Sequence, residues 1–357
     1  MRSNDFAPRD HWCSRVLAEI RAGTGQALPS GGGYDVEVTV RTAAPQVAAE
    51  RAALMESALG KVLRGKPEVV RLSLVCLLSR GHLLVEDVPG VGKTTLAQGL
   101  ARLADCGFQR LQCTSDMLPG DILGVTVYNA RSGEFEFRKG PIFTNFLLAD
   151  EINRATPKTQ SALLESMNER QVTIDGVTHR MAEPFLVVAT QNPVEHHGTY
   201  PLPESQLDRF LMRLRIGYPG VESERLIVRN GHDPSRHGLE PVISGAELIE
   251  TQDLVEKISV DDALVGYMLE IVALTREHEG LALGVSPRGA QALYRASQAL
   301  ALMEGRGYVL PDDIKRLAVP VCAHRVVLNQ RASLVARSAE ASERIMNEIL
   351  RQVEVPL

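Results

Sequence analysis

The sequence predicts an α/β fold, a parallel five-stranded sheet with helices on both faces, followed by an all-helical domain. Five short apolar runs, His82–Glu86, Gly107–Cys113, Phe146–Asp150, Phe185–Thr190 and Met212–Ile216, alternate with helical patterns. Runs such as FLLAD and FLVVA carry no polar alternation, as expected of parallel strands covered on both faces. Beyond Pro219 the strand pattern stops and helical periodicity takes over. The chain has 357 residues, which at roughly 100–200 residues per domain corresponds to two domains and a tail.

Residues 1–45 read as a flexible N-terminal tail, residues 46–219 as the α/β body and residues 220–357 as the helical domain. Within the tail, Trp12, Val16 and Ile20 share one helical face, so Asp10–Arg21 predicts a short helix. The spacer Pro29–Gly33 follows, and Tyr34–Val40 alternates with period two, the pattern of a half-buried strand. From Ala48 to Arg80 the pattern is helical, broken at Arg64-Gly65-Lys66-Pro67. In the C-terminal part, Ser259–Asp262 has the form of a capping box, and Pro311 occupies a first helical turn.

Composition removes several classes. Hydrophobic residues make up 44% and charged residues 23% of the chain, ordinary values for a globular protein. Aromatic residues at 4% and a net charge of −5 argue against a base-stacking, basic nucleic-acid surface. No apolar run approaches the ~20 residues that span a bilayer. The five cysteines form no CxxC pair, which predicts buried thiols in a reducing cytoplasm.

The strongest local signal lies between the first apolar run and a helical pattern, Asp87-Val88-Pro89-Gly90-Val91-Gly92-Lys93-Thr94-Thr95. A phosphate-binding loop needs small residues so that backbone N–H groups can turn toward phosphate oxygens. It also needs a lysine for the β- and γ-phosphates and a hydroxyl for Mg²⁺. Gly92, Lys93 and Thr94 meet these demands, and the next helix offers its N-terminus to the anion. The motif's usual first glycine is Asp87 here. Alone, the segment also reads as a Gly-rich turn with an exposed lysine.

Phe146–Asp150 runs into Glu151, so an apolar strand ends in two adjacent carboxylates. Asp150 is suited to hold Mg²⁺ through water, and Glu151 to polarise the water attacking the γ-phosphate. A third run leads into Gln191-Asn192-Pro193, where Asn192 either orients that water or forms an Asx turn. Ser286 and Pro287 have the residue types of an N-cap and first helical position, which puts Arg288 in a first turn. A cation there opposes the macrodipole by roughly 0.3–1 kcal/mol, a mismatch that contact with phosphates would explain. Arg209 reads either as a surface salt bridge to Asp208 or Glu204, or as an arginine finger for a neighbouring subunit.

On these residues the chain resembles the MoxR family of AAA+ ATPases. The resemblance rests on RGKPEVV at Arg64–Val70, HLLVEDVPGVGKTTLA at His82–Ala97 and the run Gly140–Gly176, GPIFTNFLLADEINRATPKTQSALLESMNERQVTIDG. ATQNPVEHHGTYPLPESQLDRF at Ala189–Phe210 and VSPR at Val285–Arg288 complete it. It implies an AAA+ P-loop NTPase body with a helical lid, the nucleotide lying between them. Pro89 to Thr95 become the ATP/ADP-binding Walker A loop, and Asp150 and Glu151 the Walker B pair, with Thr94 and Asp150 serving Mg²⁺. Gly65 lines the adenine pocket, Asn192 is sensor 1, Arg209 the finger and Arg288 sensor 2.

The resemblance further implies a homo-oligomeric ring, usually a hexamer. It also implies chaperone-like work on a protein client, with a von Willebrand factor A-domain protein as partner and metal insertion as one outcome. Two hairpin patterns, Gly124–Tyr128 with Glu134–Arg138 and Val172–Ile174 with Val177–His179, read as pore-lining insertions or as edge hairpins on the sheet. The second contains Asp175-Gly176, a tight-turn signal. A motor on nucleic acid and a nucleotide-gated scaffold without turnover are the alternatives. The acidic balance opposes the first, and the intact carboxylate pair opposes the second.

Overall fold

The computed structural model describes residues 35–192, 198–230, 238–329 and 338–356. The expected helix Asp10–Arg21 and the flexible tail up to residue 34 lie outside these residues. By its contacts the chain divides between Thr42 and Ala43, and Ala43–Leu357 coheres as one unit. Helix α1 spans Asp35–Val62, so the alternating segment expected as a strand after Tyr34 is helical. A short period-two pattern of valines is compatible with a helix when the following 22 positions continue the turn, and Pro45 is accommodated inside it.

Helix α2 (Pro67–Leu78), with proline in its first turn, leads into strand β1 (Leu83–Glu86) and helix α3 (Lys93–Leu103). Strand β2 (Phe108–Gln112), helix α4 (Pro119–Leu123) and the hairpin β3 (Gly124–Asn129)–β4 (Glu134–Lys139) follow. Then come β5 (Phe146–Asp150), α5 (Pro157–Glu169), the hairpin β6 (Gln171–Ile174)–β7 (Val177–Arg180), β8 (Leu186–Gln191), α6 (Glu204–Leu207) and β9 (Met212–Leu214).

The five core strands form one parallel sheet in the order β2-β5-β8-β1-β9. Alternation across it is clean. Leu83, Val85, Phe146, Leu148, Leu186 and Val188 enter one hydrophobic core, while Leu84, Leu147, Ala149, Val187 and Ala189 enter another on the opposite face. Strand residues point alternately to the two faces, so helices are required on both. That is why the strands read as unbroken apolar runs.

After β9 come α7 (Val221–Asn230), α8 (Gly245–Val255), α9 (Asp262–Glu277), α10 (Pro287–Met303), α11 (Pro311–Cys322) and α12 (Ser338–Gln352). A two-stranded ribbon, β10 (Leu281–Leu283) with β11 (Val327–Leu328), interrupts this otherwise helical part. Ser286 caps α10 through Gly289 N and Pro287 starts it, as expected. Helix α9, however, is capped by Asp261, which accepts from Ala263 N, rather than by Ser259. Ser259 instead bridges to Tyr308. Leu293, Ala296 and Leu300 of α10 share the first core with α2 and the sheet, each large aliphatic side chain there contributing about 1.5–3 kcal/mol. Lid and body therefore share one interior. Among the described residues no helix is long and apolar enough to cross a membrane.

Each hairpin forms its own two-stranded sheet instead of joining the edge of the main one. They meet each other through aromatic rings. Phe137 of β4 stacks on His179 of β7 with centroids 4.2 Å apart, and Phe143 packs edge-on against both rings. Tyr128 and Phe135 pair near the tip of the first hairpin, 5.3 Å apart and largely exposed.

Candidate active site

The chain passes from β1 outward to β2, returns through β5 and β8, and places β9 on the far side of β1. Ligands in open α/β sheets bind beyond the carboxyl ends of strands where the order reverses. There, a cleft of about 290 Å³ is lined by Pro89, Gly90, Lys93, Thr94, Asp150 and Glu151, together with Asn192. Gly92 and Thr95 complete the loop's share of the lining. Gly90 and Gly92 adopt φ of 82° and 103°, left-handed values that glycine takes without a Cβ clash. Val91 turns away and is buried in the core.

Lys93 is buried and donates from Nζ to the carbonyl of Asp87 at 2.5 Å. Asp87 itself has a structural use. Its carboxylate accepts from Val88 N at 2.8 Å and from Gly217 N at 2.5 Å, tying the start of the loop to the segment after β9. Nearby, Lys66 Nζ donates to Tyr218 O at 2.8 Å. Gly65, with φ 72°, faces Ser223 so closely that a Cβ would lie 2.8 Å from its hydroxyl. Gly65 thus sits at this junction and outside the lining of the phosphate cleft.

The carboxylate pair is held from strands β8 and β2. Thr190 of β8 donates to Asp150 Oδ1 at 2.6 Å, and its hydroxyl oxygen accepts from Glu151 N at 2.9 Å. Glu151 occupies a left-handed conformation with φ 56°, which costs a non-glycine residue roughly 1–2 kcal/mol. Two residues that the sequence reading missed come from β2. Arg110 donates to Asp150 Oδ2 at 2.6 Å, and Gln112 to Glu151 Oε2 at 2.9 Å. Arg154 reaches the same Glu151 oxygen at 3.0 Å. Read as one of the apolar runs, FQRLQ gives no sign that its polar side chains meet the carboxylates. Only the pairing of Gln112 with Asp150 across β2 and β5 brings those polar side chains to the carboxylates.

The donor chemistry fits Mg²⁺. A hydroxyl (Thr94) and a carboxylate (Asp150) share the cleft with the phosphate-directed lysine, and this cation typically takes one or two protein oxygens plus substrate phosphates. Among the described residues no cluster of three or more His, Cys, Asp or Glu offers a closed metal cage.

Arg209 and Arg288 lie elsewhere. They line a second cleft, of about 330 Å³, beside His82 at the amino end of β1. From His82 to Asp87 the strand advances roughly 16 Å, so the two clefts open at opposite ends of the sheet. Arg288, expected on the same phosphates as Lys93, does not share the cleft of Lys93, Asp150 and Glu151. Helix α10 packs on α2 and α8, which carries its N-terminus to the amino edge of the sheet. Arg209 donates from Nη1 to Leu164 O at 2.7 Å instead of pairing with Glu204, and Arg288 bonds Asn168 Oδ1.

Asp208 joins the two arginine-bearing segments. It accepts from Ser286 Oγ at 3.1 Å and from Arg325 Nε at 2.9 Å. Arg325 is buried and also donates to Phe210 O at 2.5 Å and Leu211 O at 3.0 Å. Burial holds its pKa below the usual arginine value, opposed by Cys322 and Asp208. His82, fully enclosed, accepts from Val187 N at Nδ1 and bonds Met167 O through Nε2. That geometry requires the neutral ring, and burial pushes its pKa down to about 4, with Arg170 and Arg288 adding to the shift.

A P-loop body on a parallel sheet, two strand-end carboxylates and a helical lid define an AAA+ ATPase. The model of the ATPase family associated with various cellular activities matches residues 82–212, and that of the AAA lid domain residues 273–349. The uncharacterized protein YeaC of Bacillus subtilis is 50% identical over 84% of this chain and 93% of its own length. Chaperone MoxR1 of Mycobacterium tuberculosis is 43% identical, over 83% of this chain and 80% of its own. Protein MoxR of Paracoccus denitrificans is 32% identical over 77% and 88%. A crystal structure from Cytophaga hutchinsonii superposes with a TM-score of 0.82 at 37% identity, covering 90% of this chain and 99% of that one. The chain belongs to the MoxR family of AAA+ ATPases.

Proposed function

We propose that the protein hydrolyses ATP, with Mg²⁺, in a ring of identical subunits and uses the cycle to remodel a protein client. The observation carrying this reading is the separation of the two clefts. The lysine, hydroxyl and carboxylates stand at one end of β1, and Arg209 and Arg288 at the other. Copies arranged head to tail in a closed ring can present one subunit's arginines to the next subunit's phosphates. A hexamer is the expected closure, and the family supports cytoplasmic action.

Backbone N–H groups of Gly90–Thr95 and Lys93 bind the phosphates, and the amide of Asn192 orients the attacking water. Glu151 accepts its proton. Held by Thr94 and Asp150, Mg²⁺ when bound supplies positive charge against the β- and γ-phosphate oxygens. Arg209 and Arg288 of the neighbouring subunit add charge stabilisation to the transition state. The glutamine and arginine on β2 keep the carboxylates aimed into the cleft.

The paired hairpins, with Tyr128 and Phe135 exposed, are suited to gripping a client in the ring's pore, and the acidic Glu134 and Glu136 favour protein over nucleic acid. The chaperone designation of MoxR1 supports client maturation, with a von Willebrand factor A-domain partner and metal insertion as the narrower form. Substituting Glu151→Gln tests the chemistry. Nucleotide binding should persist while turnover falls by about 100-fold or more, the contribution of a positioned general base. Turnover at the parental rate would remove Glu151 as the base. Absence of any single-turnover hydrolysis in the parent would favour a nucleotide-gated scaffold. In ATP, the same variant should retain a protein client on pull-down, and nucleic acid alone in the trap would overturn the client assignment.

A further inference from the structure

The cleft at the amino end of β1 carries more positive charge than the two arginines already assigned. Six arginines line it, Arg80, Arg170, Arg209, Arg288, Arg295 and Arg325, against the single carboxylate of Asp208. Three of the six are balanced. Arg325 pairs with Asp208, Arg80 with Asp253 and Glu256, and Arg295 with Glu256. Among the described residues, Arg170, Arg209 and Arg288 have no carboxylate within ion-pair distance, although Arg209 and Arg288 each bond one neutral oxygen.

Arg170 is the unexplained member. It closes helix α5 as the C-cap, with φ 51° and its N–H on Ser166 O. Glycine is the residue that this left-handed position normally selects. An arginine here costs roughly 1–2 kcal/mol of backbone strain, part of which its charge recovers at the helix C-terminus. Its carbonyl accepts from Met181 N at 3.0 Å, which fixes the backbone. The half-buried side chain points into the cleft beside Asn168, the partner of Arg288. Both guanidiniums lie close enough to buried His82 that their positive charges lower its pKa.

Three uncompensated guanidiniums around one cleft form a seat for a multiply charged oxyanion. We infer that Arg170 is a third donor, with Arg209 and Arg288, to a terminal phosphate seated in this cleft, and that the phosphate belongs to the nucleotide of a second copy of the chain. This rests on the ring reading above and adds to it a residue that none of the sequence motifs singled out. The forked guanidinium is suited to bridging two phosphate oxygens, which a lysine ammonium does not do.

The test uses the full chain and ATP. Arg170→Ala should keep ATP affinity and thermal stability while kcat falls about 10- to 100-fold, the worth of a hydrogen bond to a charged group. Arg170→Lys should recover part of that loss. Mixing Arg170→Ala with Glu151→Gln, which keeps all its arginines, should give turnover above the sum of the two variants alone. A parallel mixture of Arg209→Ala with Glu151→Gln separates the two ideas. If the Arg209 mixture recovers and the Arg170 mixture does not, Arg170 is not a donor across the interface and the ring reading stands. If neither recovers, the shared-site reading falls and this assignment with it. Altered inhibition by inorganic phosphate, without recovery on mixing, would assign the seat to a free anion and overturn the second-copy source. Parental kcat in Arg170→Ala would overturn the proposal outright.

Discussion

The carboxyl end of β1 opens into a cleft built from backbone amides, a lysine and carboxylates. Its amino end opens into one built from guanidiniums. The first is assembled within the body, by the loop after β1 and the ends of β2, β5 and β8. The second needs the lid, because Ser286 and Arg325 fix Asp208 and α10 brings Arg288. The first cleft is therefore local to one domain, whereas the second depends on how two domains pack. A change in the first cleft should reach only the nucleotide. A change at Arg170, Arg209 or Arg288 in the second should reach turnover, and one at buried Arg325 should reach stability as well.

The largest expected effect separates the clefts directly. Lys93→Ala should abolish measurable ATP binding by titration calorimetry, because the loop loses its one cation for the β- and γ-phosphates. Arg209→Ala should leave that binding intact and lower turnover by about 10³-fold or more, the scale of an arginine finger. If Arg209→Ala instead loses ATP binding within an isolated subunit, the spatial separation has no functional meaning. A smaller effect is expected at the lid. Arg325→Met should lower unfolding free energy by roughly 3 kcal/mol, near the low end for breaking a buried pair because Asp208 keeps some water. Urea titration measures it, and adding Asp208→Asn should restore part of the loss in a double-mutant cycle. Full additivity would mean that the pair is not coupled.

The last effect concerns pH. His82 is neutral in the fold, its pKa pushed down to about 4, while an unfolded histidine titrates near ~6.5. His324, also enclosed and beside Arg325, is shifted in the same direction. Between these values the unfolded state binds more protons, so stability rises with pH and is lost as pH falls from about 6.5 toward 4. Each histidine contributes at most about 1.4 kcal/mol per pH unit across that window. Denaturation midpoints at pH 7, 6 and 5 should decline in order, and the decline should flatten in His82→Gln. An unchanged slope in that variant would assign the pH response elsewhere.

The gathering of the loop after β1, Asp150, Glu151 and Asn192 into one cleft was legible because each lies within a few residues of a strand end, and period and spacing are local properties. The five strands were legible for the same reason, to within one or two residues. Arg110 and Gln112 were not, since their strand was read as an apolar run like the others, and only its pairing with β5 shows what its polar side chains meet. Nor was the position of Arg288. The capped first turn of α10 is written in Ser286-Pro287, but the direction in which that helix points depends on α2, α8 and α11 packing together. The strand expected after Tyr34 failed because a few alternating residues weigh less than the long helix they join. The cap expected at Ser259 failed because Asp261, two residues later, offers the better acceptor.

Asp87 stands where a phosphate loop more often begins with glycine, and one carboxylate there grips both the first amide of the loop and the amide of Gly217 beyond the last strand. Those two amides move as a pair. Oδ1 holds the loop amide and Oδ2 that of Gly217, so a tilt of the helices that follow Gly217 pulls on the same carboxylate group that holds the start of the loop. The strand-to-lid junction and the loop after β1 are thus pinned on a common axle, so movement of one is felt at the other as torque rather than as a lost contact.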